Sequence, residues 1–334
     1  MAPPPLQENP VGALNPLPQV LLLRHPAQFA LINKPLPDHL CHLLKPWESP
    51  LPFDQFVLAH AQSARALLAS GGMPVTADLI RMLPELRLVV TTSAGLNHID
   101  LAECRRRGIA VADSGGVYSE DVADVAVGLL LDVWRRVSAA DRYVRAGRWA
   151  RDGDFPLGFK IGGKRVGIVG LGRIGMEVAK RLEALGCIIS YNSRKERPSV
   201  SYPFYSNVRD LASNSNALVI CCGLTDETLH MINKEVMLAL GKDGVIVNIG
   251  RGAIIDEREM VQLLVRGELG GAGMDVFENE PNVPKELIEL DNVVMTPHNS
   301  VFTPESFSDL CELVVGNLEA FFSNRPLLSP VSLE

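Results

Sequence analysis

The sequence predicts an α/β protein built on parallel sheets, and three features predict it. Short apolar runs alternate with amphipathic stretches along most of the chain, a glycine-rich turn joins one run to a helix, and 334 residues suffice for about two domains of roughly 150 each. Strands buried on both faces read as continuous apolar runs rather than alternating ones. The runs here are of that kind: QVLLL, RLVVTT and IAVAD early, then RVGIVG, CIISY, ALVICC, GVIVNIG, GAGMDV and NVVMTP.

Taken in order, the elements are these. The opening MAPPPLQENPVGALNPLPQ is proline-rich with no base before Arg24, so it reads as a flexible arm rather than a signal or transit peptide. Asp38-His39-Leu40-Cys41-His42 would put two imidazoles on one face if helical, but no second ligand group stands at a recognisable spacing. Surface histidines and no metal are expected there. Residues 120–147, EDVADVAVGLLLDVWRRVSAADRYVRAG, read as one long helix whose nearly all-round apolar content exceeds what a one-sided surface helix needs. The following RDGDFPLGFKIGGK breaks the pattern and reads as an interdomain connection. A further helix, EREMVQLLVRG, follows Asp256, and the vicinal Cys221-Cys222 ends an apolar run as core packing. With no C-x-x-C among the six cysteines, reduced thiols are expected.

Composition removes several classes of function. Hydrophobic residues make up 47% and charged ones 21%, the balance of a globular protein rather than a disordered or collagenous one. A net charge of −7 argues against a nucleic-acid surface, so an anionic ligand needs a local positive pocket. The most apolar run, VADVAVGLLLDVW, is interrupted by Asp124 and Asp132 and falls short of the roughly 18 residues of a membrane span. The chain ends Val331-Ser332-Leu333-Glu334, without the Ser-Lys-Leu peroxisomal address, so the cytoplasm is the expected location, with the chloroplast not separated from it by composition.

The strongest local signal is Gly170-Leu171-Gly172-Arg173-Ile174-Gly175, placed between an apolar strand and an amphipathic helix. In that context it is a dinucleotide fingerprint: the first glycine makes the turn, the second admits pyrophosphate to the backbone, and the third lets helix and strand pack. Arg173 adds a cation beside the pyrophosphate. An NAD site would end the next strand in an acid about 20 residues on, to bond the ribose hydroxyls. Instead the chain has Ser193, Arg194 and Lys195, with Arg197 after them. A hydroxyl and a guanidinium suit a 2′-phosphate, so NADP(H) is expected, with NADH weaker.

Three ionisable residues then stand at or just after strand ends, where a doubly wound sheet forms its ligand crevice: Arg251 in VNIGRGAIIDE, Glu280 in DVFENEP and His298 in VVMTPHNS. GLGRIG, NIGRGAIIDE, DVFENEP and TPH as a set resemble the D-isomer-specific 2-hydroxyacid dehydrogenase family, over most of the chain from TTSAGLNHIDL to NRPLLSP. Within it, Ser-Arg-Lys and Glu-Asn-Glu-Pro resemble the NADPH-dependent plant glyoxylate/hydroxypyruvate reductases of the photorespiratory type and the related hydroxyphenylpyruvate reductases.

The resemblance implies two flavodoxin/Rossmann-like domains, with a nucleotide domain at 116–299 inserted into a substrate domain at 1–115 and 300–334, and closure about two chain crossings that excludes water. It implies reduction of a 2-keto acid to the D-2-hydroxy acid, with His298 as proton donor, Glu280 as its partner and Arg251 on the keto acid. Such roles make chemical sense: hydride addition leaves an alkoxide that an imidazolium can protonate, while a guanidinium stabilises the developing charge. By the same resemblance the backbone N–H groups of Ser93, Ala94 and Gly95 cradle the substrate carboxylate. Ile249, Asp275, Asn299 and Ser300 lie near the nicotinamide, His98 has a structural role, and the 120–147 helix joins a homodimer. Phosphoglycerate dehydrogenase fits less well, since the expected acid is missing and little chain follows His298. Formate dehydrogenation needs no such proton relay. From a different class, a non-enzymatic corepressor-like use of the scaffold remains a reading that motifs alone do not reject.

Overall fold

The structure, a computed structural model, describes residues 17–333. Most of the expected N-terminal arm, residues 1–16, lies outside the described residues. Two compact units divide the described residues: 17–93, 98–113 and 311–333 form the first, and Ala94–Asn97 with Ser114–Leu310 the second.

The first unit carries a five-stranded sheet: β1 (Gln19–Leu22), β2 (His42–Leu44), β3 (Ala64–Ala69), β4 (Leu88–Thr91) and β5 (Ala110–Ala112), in the order β2-β1-β3-β4-β5. The second has six: β6 (Arg165–Val169), β7 (Ile188–Asn192), β8 (Ala217–Ile220), β9 (Val245–Asn248), β10 (Gly271–Met274) and β11 (Val293–Met295), in the order β11-β10-β9-β8-β6-β7. Every strand pair in both sheets is parallel. In each sheet the first strand is flanked by the second and third, so the strand order reverses there. That reversal makes the crevice in which doubly wound sheets bind ligands. In the second unit it falls between β6 and β8.

The core explains the apolar runs. Every residue of β8 and β9 is buried, among them Leu218, Ile220, Ile246 and Val247 at 0% exposure. Each such side chain contributes about 1.5–3 kcal/mol on leaving water. The Ser119–Arg135 helix packs on this sheet and on the Arg173–Ala184 helix. Glycines in β10 make room for it, because a Cβ at Gly271 or Gly273 would press on Val133 or Leu129.

Three expectations are corrected. Residues 120–147 do not form one helix: Arg136 takes left-handed φ/ψ of 57° and 37°, and a new helix, Val137–Arg145, starts beyond it. The excess apolarity of VADVAVGLLLDVW is buried within the unit, where Val122, Ala126, Leu129, Leu130, Val133 and Trp134 all meet their own fold. Residues 151–164 are not an interdomain connection, since they lie wholly inside the second unit and return along the helix end, Phe159 N–H donating to the Trp134 carbonyl at 2.7 Å. His39, in a turn, and His42, which opens β2, are both exposed, as expected of surface histidines. No helix among the described residues is long and apolar enough to cross a membrane.

Candidate active site

The glycine-rich loop leaves β6 at the strand-order reversal, and its three glycines meet three different surroundings. Gly170 has φ +95°, and a Cβ there would strike the backbone of Cys222 after β8 at 2.6 Å. At Gly175 a Cβ would stand 2.2 Å from the Gly170 carbonyl oxygen, so only glycine lets the helix start so close to the strand. Gly172 is different: a Cβ there meets no atom within 4 Å. Nothing inside the protein requires glycine at this point, yet it borders a cleft of about 420 Å³ with Arg173 and Arg197 on its wall. This is the fit expected if the space belongs to a ligand's pyrophosphate at the N-terminus of the Arg173–Ala184 helix. Leu171 is buried, Ile174 is half-buried, and Arg173 donates from Nη1 to the Gly115 carbonyl at 3.1 Å.

Beyond β7 the basic turn is exposed at Arg194 and Lys195, and the Ser193 hydroxyl donates to the Lys195 carbonyl at 2.6 Å. Tyr191 accepts the Arg197 N–H on its phenol oxygen at 2.8 Å, which anchors the far end of the turn. Arg197, the last base of that turn, lines the cleft. Cys222 abuts the glycine loop, and burial pushes its thiol up to about 11, so it is protonated and packs as an apolar residue at neutral pH.

Arg251 follows β9 in a turn built by Asn248, which is fully buried. Asn248 accepts the Gly250 N–H on Oδ1 and donates from Nδ2 to the Arg251 carbonyl, both at 3.0 Å. The glycines on either side of Arg251 are obligatory: a Cβ at Gly250 would meet the Cys222 carbonyl at 2.8 Å, and one at Gly252 would lie 1.9 Å from Phe277 C. The guanidinium donates to the Gly250 carbonyl at 2.7 Å and to Asn97 Oδ1 at 3.3 Å, and covers Gly95 so closely that a Cβ there would lie 2.2 Å from Nη2. Burial pulls the pKa of Arg251 down from the usual guanidinium value, against the pull of the Glu280 charge.

Glu280 and His298 form a dyad. His298 donates from Nδ1 to Glu280 Oε2 at 2.8 Å, and Glu280 Oε1 accepts the Phe277 N–H at 3.0 Å. With Nδ1 so committed, Nε2 is the ring nitrogen left to face a reacting oxygen. His298 has φ +51°, and buried Asp275 enforces the turn. Its carbonyl accepts the His298 N–H at 2.8 Å, and Oδ1 accepts from the Thr296 hydroxyl at 2.7 Å and the Asn299 N–H at 3.0 Å. The Ser300 N–H points to Oδ2 at 3.4 Å. Asp275 therefore organises the His298 loop, and Ile249 gives its own N–H to the Ile220 carbonyl at 3.3 Å.

In the TTSAGLNH loop, Ser93 has already given its N–H to Thr91 Oγ1 at 3.2 Å, which leaves Ala94 and Gly95 as the N–H groups available for an anion. His98 holds the same threonine through Nε2 at 3.0 Å, and its carbonyl accepts the Val75 N–H. Sequence reasoning missed Asn248, Thr296 and Gly252. Only Asn248 carried a local signal, an Asn two residues before a glycine at a strand end, as in a side-chain-closed turn.

Residues 127–300 match the family model described as D-isomer specific 2-hydroxyacid dehydrogenase, NAD binding domain. Glyoxylate/hydroxypyruvate reductase HPR3 of Arabidopsis thaliana is 55% identical, over 95% of this chain and 98% of its own length. Hydroxyphenylpyruvate reductase of Plectranthus scutellarioides is 50% identical, over 88% of this chain and 93% of its own. Among solved structures, the NADPH-dependent glyoxylate/hydroxypyruvate reductase of Sinorhizobium meliloti, in complex with NADP and malonate, superposes with a TM-score of 0.86 at 34% identity, covering 95% and 97% of the two chains.

Proposed function

The chain belongs to the D-isomer specific 2-hydroxyacid dehydrogenase family, and from that premise we propose that it reduces a small 2-keto acid, glyoxylate or hydroxypyruvate, to the D-2-hydroxy acid with NADPH. The observation that carries the reading is the His298–Glu280 hydrogen bond, with Arg251 on the neighbouring loop electrostatically coupled to Glu280. The relatives named above act, by their names, on three keto acids with a common head.

The bound dinucleotide would supply a hydride; the rest of the chemistry falls to side chains and backbone. Gly170 to Gly175 and the helix they open would hold the pyrophosphate, and Ser193, Arg194 and Lys195 the 2′-phosphate. Ile249, Asp275, Asn299 and Ser300 would frame the nicotinamide, Asp275 by fixing the loop that carries Asn299 and Ser300. Ala94 and Gly95 N–H groups would take the keto-acid carboxylate, with Arg251 across it and on the keto oxygen. His298, protonated and held by Glu280, would deliver its Nε2 proton to the oxygen that becomes the hydroxyl. Asp275 thus acts as a girder for the dyad as much as a cofactor contact. We further propose a homodimer, formed through the segment that follows the Arg136 break rather than through the buried helix before it.

The test is oxidation of NADPH, followed at 340 nm, with glyoxylate, hydroxypyruvate and hydroxyphenylpyruvate in parallel, repeated with NADH. The small acids with NADPH are expected to turn over fastest. Preference for hydroxyphenylpyruvate would make the aromatic reading the right one, and no oxidation with any acid would leave the non-enzymatic reading. Replacing Arg194 and Lys195 together by alanine should weaken NADPH far more than NADH; equal losses would remove the case for the 2′-phosphate.

A further inference from the structure

Glu257 opens the Glu257–Val265 helix and is only 7% exposed, yet it does not serve its own helix. Asp256 already caps that end, accepting the Glu259 N–H at 3.2 Å. Glu257 turns instead to the Phe277–Glu280 turn, where its Oε2 accepts the Glu278 N–H at 3.0 Å. Two residues further along the same turn stands Glu280, whose carboxylate spans the Phe277 N–H and His298 Nδ1. The turn is held from two other sides. The missing Cβ of Gly252 lets it lie against the Arg251 loop, and His230 Nε2 pairs with Glu278 Oε1 at 2.8 Å.

A buried carboxyl beside two further carboxylates is an expensive way to fill space. Burial pushes the Glu257 carboxyl above the usual carboxylate range, an effect the Glu278 N–H opposes and the charges of Glu278 and Glu280 add to. What the position obtains in return is an acceptor of the right reach, since without it the Glu278 N–H would lose its partner. The turn bearing Glu280 would then be free to shift, and a shift of about 1 Å in a proton donor's partner is costly to turnover.

We propose that Glu257 is a positioning residue for the proton donor: by holding the Glu278 N–H, its side-chain oxygen fixes the turn that sets Glu280 against His298. The proposal rests on the reading of His298 as the proton donor. What matters is an oxygen at this reach, so glutamine should serve and aspartate should not.

The test uses the whole enzyme with NADPH and its best keto acid, comparing E257Q, E257D, E257M and H298Q for kcat, NADPH affinity by fluorescence titration, and melting temperature. E257Q keeps the acceptor and is expected to hold wild-type kcat. E257D keeps the charge but withdraws the carboxyl by about 1.5 Å, one carbon–carbon bond. It and E257M should lose on the order of 10- to 100-fold in kcat with NADPH affinity unchanged. Wild-type kcat in E257D would overturn the proposal, as would a fall in E257Q as deep as in E257D, or a loss of NADPH affinity in step with kcat. Should E257M not fold, the Gln and Asp variants decide by themselves. Activity retained in H298Q would bring down the proton-donor reading and this inference with it, whereas an inactive H298Q beside a fully active E257D would bring down this inference alone.

Discussion

At the scale of single residues, the dyad makes the sharpest demand. His298 has one nitrogen committed to Glu280 and the other left for the substrate, so replacing it with glutamine keeps the size of the side chain and removes the transferable proton. His298→Gln should lower kcat by about 10² to 10⁴ while NADPH affinity stays near wild type; unchanged turnover in a steady-state assay would mean the acid has been misassigned. Gly95→Ala acts on the other side of the chemistry. Its methyl would stand 2.2 Å from Arg251 Nη2 and displace the guanidinium, so the expected result is a raised KM for the keto acid, measurable in the same assay with NADPH held saturating. Arg251, Glu280 and His298 could be read from the sequence because each is an ionisable group at or just after a strand end. Thr296 and Glu257 could not, because they act on a buried aspartate or on a backbone N–H group, and no spacing in the chain announces such partners.

At the scale of elements, the glycine loop separates structure from ligand. Gly175→Ala puts a methyl 2.2 Å from a carbonyl oxygen and should destabilise the fold by about 1–3 kcal/mol, as overpacking does. Gly172→Ala puts a methyl into open space beside the cleft and should leave the melting temperature almost unchanged while weakening dinucleotide binding. Calorimetry and fluorescence titration on both variants check the pair, and a Gly172→Ala protein that binds NADPH normally would show that the cleft is not the pyrophosphate site. The loop was legible because its glycines have a fixed period between strand and helix. β3 was not, because ARALLA is rich in alanine and reads equally as helix. β2 was missed because three residues are too few for any period to register. The break at Arg136 was hidden for another reason: no glycine or proline marks it, and a non-glycine residue in left-handed conformation is invisible to pattern.

At the scale of the whole molecule, the question is where a second copy would dock. The Ser119–Arg135 helix cannot be the main surface, since its apolar side chains are used against its own sheet. Past Arg136 the pattern inverts: Val137, Val144, Trp149, Leu157 and Phe159 are all exposed, Trp149 by 65% and Leu157 by 94%. The stretch is nonetheless anchored, because the Tyr143 hydroxyl donates to the Gly153 carbonyl at 2.9 Å and its ring meets Phe155 edge to face at 5.2 Å. Anchored backbone with outward apolar side chains is what an interface needs before its partner arrives, since little ordering cost remains to be met on binding. Wild-type protein should therefore run in light scattering at twice its 36.3 kDa chain mass. Changing Trp149 and Leu157 together to glutamate should return it to the single mass with the circular dichroism spectrum intact, because neither side chain is needed to fold the unit. A double variant that remains dimeric would move the interface to another face, and a wild type that is monomeric at micromolar concentration would leave these five side chains without a partner of their own kind.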